Sequence, residues 1–170
     1  MPVQRLLAPV NFREKMLTRE QLADWRAECR NRGRVLVVTN GCFDLLHLGH
    51  VTYLEAARNL GGCLLVGVNS DRTVSELKGP ERPVNHESDR AAVLAALASV
   101  DAVFVFAERS ATDFLALVQP DIYVKGGDYT IDTINQEERR EVEKSGGRVV
   151  IVPVVAGKST TALVRKIARL

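Results

Sequence analysis

His47 and His50 stand three residues apart at the end of the stretch that runs from Thr39 through Asn40, Gly41, Cys42, Phe43 and Asp44. That spacing puts both imidazoles on one face of a helical turn. Gly49 lies between them and carries no side chain to block a ligand, while Gly41 permits a tight turn and a close backbone approach. A helix N-terminus attracts anions. Two imidazoles placed there can donate hydrogen bonds to phosphate oxygens and stabilise charge that develops as a phosphorus centre is attacked. The same pair fits a metal site or a satisfied structural pair. Only Asp44 offers a further ligand in this loop, and no Cys or His cluster lies elsewhere, so the anion reading is the expected one.

Three more segments could serve such chemistry. Lys78 and Arg82 sit in a stretch containing Gly79, Pro80 and Pro83, and a flexible basic loop can close over a polyphosphate; a solvated loop is the plain alternative. Lys125-Gly126-Gly127-Asp128 has glycines that permit a turn against a flat ligand such as a base, with Asp128 open to a hydroxyl, a metal or ordinary turn duty. Gly157-Lys158-Ser159 looks like the tail of a P-loop, but Val152 stands where that motif needs its first glycine. Ser159, Thr160 and Thr161 read instead as a hydroxyl-rich helix start that caps the helix and can also contact phosphate. Arg90 opens a helix, where a positive charge opposes the dipole, which hints at a ligand-facing role. His86 reads as a surface residue, and Trp25 and Phe43 as core.

Elements to position these loops follow from the pattern. Thr18 and Gln21 form a capping-box start, and Leu22, Trp25 and Cys29 follow at helical spacing until Gly33. Residues 35–39 are a short Val-rich run that suits a strand buried on both faces. A helix over 48–60, a strand over 63–69, a polar loop over 70–86 and a helix over 87–99 come next. Strands over 102–106, 122–125 and 149–152 then alternate with helices over 111–118, 134–145 and 160–168. The first strand lacks a following G-x-G-x-x-G, which argues against a nicotinamide cofactor. Strand–helix alternation predicts a Rossmann-like, doubly wound parallel sheet of five strands with helices on both faces. Ligands of such sheets bind at the strands' C-terminal edge. Residues 1–17 read as an N-terminal arm and 18–170 as one domain.

Composition sets bounds on function. The chain has 170 residues, 46% apolar and 26% charged, with a net charge of +2, an ordinary globular balance with no nucleic-acid footprint. The three cysteines, Cys29, Cys42 and Cys63, suit neither a zinc site nor a disulfide framework and fit a reducing cytoplasm. Neither a signal peptide nor a membrane span is expected.

Taken together, the motifs around 39–50, 66–71, 77–79, 82–85, 124–129 and 157–161 resemble the nucleotidyltransferase superfamily marked by a His-x-Gly-His turn. Within it the chain is similar to the D-glycero-β-D-manno-heptose 1-phosphate adenylyltransferases, over about residues 18–168. That resemblance implies ATP plus the heptose 1-phosphate giving ADP-heptose and pyrophosphate, with Mg²⁺ and no assigned protein ligand for it, in a cytoplasmic homodimer serving lipopolysaccharide core synthesis. It implies catalytic roles for His47, His50 and Lys78. It also implies nucleotide contacts at Thr39, Asn40, Gly41, Cys42, Phe43, Gly49, Lys125, Gly126, Gly127, Asp128, Ser159, Thr160 and Thr161. Asp44, Arg82 and Arg90 are assigned to the acceptor. A related cytidylyltransferase acting on glycerol phosphate or ethanolamine phosphate is the nearest rival, and its stretch before Ser-Thr-Thr differs from Val154–Lys158. A non-catalytic nucleotide-binding module is the rival of another class, against which the retained histidines and Lys78 speak. Such enzymes also occur fused to a kinase half, which is not expected in this chain.

Overall fold

A computed structural model describes residues 11–127, 129–153, 155, 157 and 159–169. Five strands form one parallel sheet: β1 (Leu36–Gly41), β2 (Cys63–Asn69), β3 (Ala102–Phe106), β4 (Ile122–Gly126) and β5 (Arg148–Val152), in the order β3-β2-β1-β4-β5. The helices are α1 (Arg19–Asn31), α2 (Leu48–Arg58), α3 (Asp71–Lys78), α4 (Glu87–Ala95), α5 (Thr112–Val118), α6 (Gln136–Lys144) and α7 (Thr160–Ile167). The expected doubly wound α/β sheet is the observed one. Its topological switch lies between β1 and β4, the place where such sheets leave a crevice.

Strand residues alternate between two cores because successive side chains point to opposite faces. Val37, Leu64, Val66 and Val124 join Leu54 of α2 and Leu94 of α4 on one face. Leu36, Val38, Leu65 and Tyr123 join Leu22 of α1, Leu115 of α5 and Val142 of α6 on the other. This alternation also sets which wall of the site each polar residue at the strand ends joins.

Local signals closed the elements as their chemistry requires. Thr18 accepts from the Gln21 amide at 3.3 Å while the Gln21 side chain accepts from the Thr18 amide at 2.9 Å, a complete capping box. Gly33 follows α1 at φ 63°. The expected loop over 70–86 is in its first half a helix. Ser70 caps α3 by accepting from the Thr73 amide, and Thr73 and Val74 are its buried residues. A two-residue apolar anchor is too short to announce itself as periodicity, which is why the stretch reads as loop.

In its described part the N-terminal arm lies along the sheet. Phe12–Lys15 form a 3₁₀ turn, Met16 bridges Val103, and the Leu17 amide donates to the Val103 carbonyl at 2.9 Å. This covers part of the β3 edge, and Lys15 Nζ donates to the carbonyls of Leu97 and Val100. Trp25 is half-buried against the α1-side core. Cys29 and Cys63 are both buried, with sulfurs 3.2 Å apart, a neighbourhood their distance in sequence concealed. Burial pushes the Cys63 thiol up to about 12.

Candidate active site

A cleft of about 690 Å³ opens at the C-terminal edge of the sheet. Asn40, Gly41, Cys42, Phe43 and Asp44 form its floor, and the ends of α2, α3, α6 and α7 its walls. The floor is tightly fitted. Phe43 sits at φ 47°, the left-handed region unusual for a bulky residue, and a Cβ on Gly41 would meet its ring at 3.0 Å. Phe43 is at once core and floor: 7% exposed, it meets the His50 ring edge-on at 5.5 Å.

One wall carries the histidines. His47 occupies the N-cap of α2 and its side chain makes no capping bond there; His47, Gly49 and His50 bring the start of that helix to the cleft. His47 and His50 stack with ring centroids 3.9 Å apart and planes inclined by 23°. Burial above all, then the neighbouring His47 and Lys78, hold His50 down at about 4, so His50 is a neutral imidazole at pH 7. Lys78 reaches the cleft from the last turn of α3, ended by Gly79 at φ 101°. Ser159, Thr160 and Thr161 close the wall from α7. Ser159 caps that helix by accepting from the Ala162 amide, and Thr160 Oγ1 donates to the Leu45 carbonyl. Gly49 also lines this wall.

The other wall rises from the α6 face. Asn40 and Tyr123 point there because they follow Val38 and precede Val124 in the strand alternation. Glu138 of α6, 5% exposed, takes Tyr123 Oη at 2.7 Å and Lys125 Nζ at 3.2 Å on Oε2, and the Ala111 amide at 3.0 Å on Oε1. Asn40 Oδ1 lies 2.6 Å from Tyr123 Oη and 2.8 Å from Lys125 Nζ. Burial lowers the Lys125 ammonium from its usual range, and Glu138 works against that shift. Arg109, Tyr129 and Asn135 complete this wall.

Of the residues singled out from sequence, the cleft gathers Asn40, Gly41, Cys42, Phe43, Asp44, His47, Gly49, His50, Lys78, Lys125, Gly126, Ser159, Thr160 and Thr161. Asp128 and Lys158 lie outside the described residues. Thr39 does not reach the cleft: it is fully buried and its hydroxyl pairs with Tyr53 Oη at 2.7 Å. Gly126 answers to packing, since a Cβ there would stand 2.7 Å from the Tyr53 ring, and Gly127 adopts φ 101°.

The three residues assigned to the acceptor are all engaged within the protein. Asp44 lines the floor, but its carboxylate is spent on Arg82 at 2.6 Å and on the amides of Val84 and Asn85. Arg82 is thereby turned to Asp44. Arg90 has a fully buried side chain that donates to the carbonyls of Asn85, Cys42 and Asn69 and to Asp71 Oδ1. It ties three loops together from beneath, and its unfavourable place in the first turn of α4 is explained by those four acceptors. His86, exposed as expected, pairs with the other Asp71 oxygen at 2.9 Å. Sequence reasoning missed Glu138, Tyr123 and Arg109. Glu138 sits in a run of charges that reads as a solvated helix face, and no local pattern marks it as buried.

The match to known proteins follows the same residues. The family model described as cytidylyltransferase-like fits residues 38–165. The chain belongs to the cytidylyltransferase-like family. It is 55% identical over 139 residues to the bifunctional protein HldE of Methylobacillus flagellatus, covering 82% of this chain and 28% of that one. It is 50% identical over 152 residues to HldE of Koribacter versatilis, covering 89% and 31%. The chain thus spans about three tenths of the curated relatives it matches. Among solved structures it resembles the lipopolysaccharide core biosynthesis protein of Thermoplasma volcanium, with a TM-score of 0.59 and 31% identity, over 72% of this chain and 98% of that one. A pantoate-beta-alanine ligase of Francisella tularensis, at 11% identity and a TM-score of 0.56, shares the fold. The cytidylyltransferase-like match includes the floor, both histidines, Lys78 and the start of α7.

Proposed function

We propose that this chain transfers the adenylyl group of ATP to D-glycero-β-D-manno-heptose 1-phosphate. A phosphate oxygen of the sugar attacks the α-phosphorus in line, the bond to the β-phosphate oxygen breaks, and pyrophosphate leaves with ADP-heptose as the other product. The observation that carries this reading is the stacked His47–His50 pair at the start of α2, in one cleft with Lys78 and the hydroxyls of α7. Relatives named HldE and a lipopolysaccharide core biosynthesis protein support the heptose acceptor.

Catalysis in this reading is positioning plus charge stabilisation, with no protein nucleophile. His50, neutral at pH 7, donates one N–H to the reacting phosphate without taking up a proton. Lys78 meets the negative charge that builds between the α- and β-phosphates. Ser159, Thr160 and Thr161, with the amides that begin α7, hold the far phosphates. Gly126 and Gly127 border the nucleoside. Mg²⁺ enters with ATP, carried mostly by phosphate and water. The same reading places the enzyme in the cytoplasm as a homodimer; no helix of the described residues is long and apolar enough to cross a membrane, and Leu48 and Val51 expose apolar side chains one turn apart on α2. Light scattering of the purified chain tests the dimer.

Pyrophosphate release tests the reaction. The chain is offered ATP or CTP with heptose 1-phosphate, glycerol 3-phosphate or ethanolamine phosphate. Release with ATP and the heptose is expected. Release only with CTP and glycerol phosphate would replace this reading with the cytidylyltransferase one, to which the family description also points.

A further inference from the structure

Tyr123, Lys125, Asn40 and Glu138 come from three elements and meet through four short contacts at one wall of the cleft. The hydrogen count of this cluster is informative. Lys125 Nζ has three protons and no lone pair, so both of its neighbours must accept. This fixes the Asn40 amide with Oδ1 turned inward to Lys125, and leaves its two Nδ2 hydrogens for the cleft that Asn40 lines. Two of the three Lys125 protons go to Asn40 and Glu138, and among the described residues the third has no acceptor. Tyr123, with a single proton between two acceptors, braces the cluster from the core side. Glu138 is itself held by the Ala111 amide, so the carboxylate cannot swing away without stranding the start of α5.

The two walls therefore differ in kind. The α2 side offers imidazoles, a lysine, hydroxyls and a helix start, which suit a polyanion. The α6 side sets the Glu138 carboxylate beside Lys125, with Arg109 on the same wall, so one negative charge stands among two positive ones and the Asn40 amide borders the cleft beside them. Glu138 repels a triphosphate more than it repels a ligand with a single phosphate, and a hydroxyl-rich monophosphate takes the Asn40 donors with its hydroxyls while its charge meets Lys125 and Arg109. Asp44, Arg82 and Arg90 are committed elsewhere, so among the described residues Lys125, with Arg109 on the same wall, is the charged group left to receive a second substrate.

We propose that the Asn40–Lys125 edge, held in place by Glu138 and Tyr123, is the subsite for the phosphorylated sugar that accepts the nucleotide. Asn40 and Lys125 touch that acceptor. Glu138 is a positioning residue that aims them. The inference rests on the nucleotidyltransfer reading above and deepens it by giving each substrate its own wall.

The test separates the substrates. Asn40→Ala, Lys125→Met and Glu138→Gln variants of the full chain are measured for KM of heptose 1-phosphate at saturating ATP, and for ATP affinity by calorimetry without acceptor. Lost charged or paired hydrogen bonds should raise the acceptor KM by roughly 10- to 100-fold. The ATP dissociation constant should stay within about threefold. Glu138→Gln keeps an acceptor for the Ala111 amide, so its fold is maintained and its acceptor KM should still rise. Equal losses for both substrates, or a loss confined to ATP, would overturn the subsite. If the wild-type chain ignores the heptose but uses another phosphorylated polyol, the heptose reading fails alone, and acceptor-selective loss with that polyol still upholds the subsite. A wild-type chain that transfers to no acceptor overturns both.

Discussion

The ring of His50 lies on the ring of His47, 3.9 Å between centroids, and is buried enough to stay neutral far below the usual range for histidine. Stacked imidazoles cannot both carry charge cheaply in a partly desolvated site. The pair therefore offers N–H donors to an incoming phosphate and does not bring two fixed positive charges.

Stability should record this. The folded-state value for His50 is about 4 and its ordinary value 6.5, so between these limits the unfolded chain binds more protons than the folded one. Folding stability falls as pH drops from about 6.5 to 4, and this contribution to the slope vanishes below that window. Urea melts at pH 7, 5.5 and 4 should show the decline in the wild type and a shallower one in His50→Asn. Parallel declines would show that His50 is not the group responsible.

Lys78 is exposed at the end of α3, and among the described residues its side chain forms no hydrogen bond or ion pair that holds the fold. Lys78→Ala is expected to lower kcat by roughly 10²-fold, as losing a transition-state donor does, with the melting temperature nearly unchanged. Lys78→Arg should recover part of the rate. A rate loss that tracks a fall in melting temperature would return Lys78 to a structural role.

Arg90 should behave in the opposite way. Its side chain satisfies three carbonyls and Asp71 from a fully buried position. Arg90→Met strands these acceptors and should cost about 3–5 kcal/mol of stability, the range found when one partner of a buried ionic network is removed. Chemical denaturation measures it. An Arg90 variant of native stability but raised acceptor KM would point instead to direct contact with the acceptor.

Gly126→Ala adds a methyl 2.7 Å from the Tyr53 ring. That ring cannot slide easily, because its hydroxyl is held by Thr39 and by the Val124 carbonyl. Overpacking of this kind costs about 1–3 kcal/mol, and a thermal melt should show a lowered midpoint. An unchanged midpoint would mean that the glycine serves a ligand and not the packing.

Sequence alone determined the features whose causes are local. The Thr18–Gln21 capping box, the Val-rich parallel strands, the His-x-Gly-His helix start and the Ser159 cap each depend on residues within a turn or two. All are present as the sequence implied. Tertiary structure decided what charged residues do once distant elements meet. Asp44 finds Arg82, Arg90 finds three loops, and Glu138, which reads as one more solvated charge on α6, is buried against Tyr123 and Lys125. Periodicity reports which face of an element is apolar; the partner of a buried charge comes from another strand or helix. Only the strand order, with β1 set between β2 and β4, brings that partner into reach.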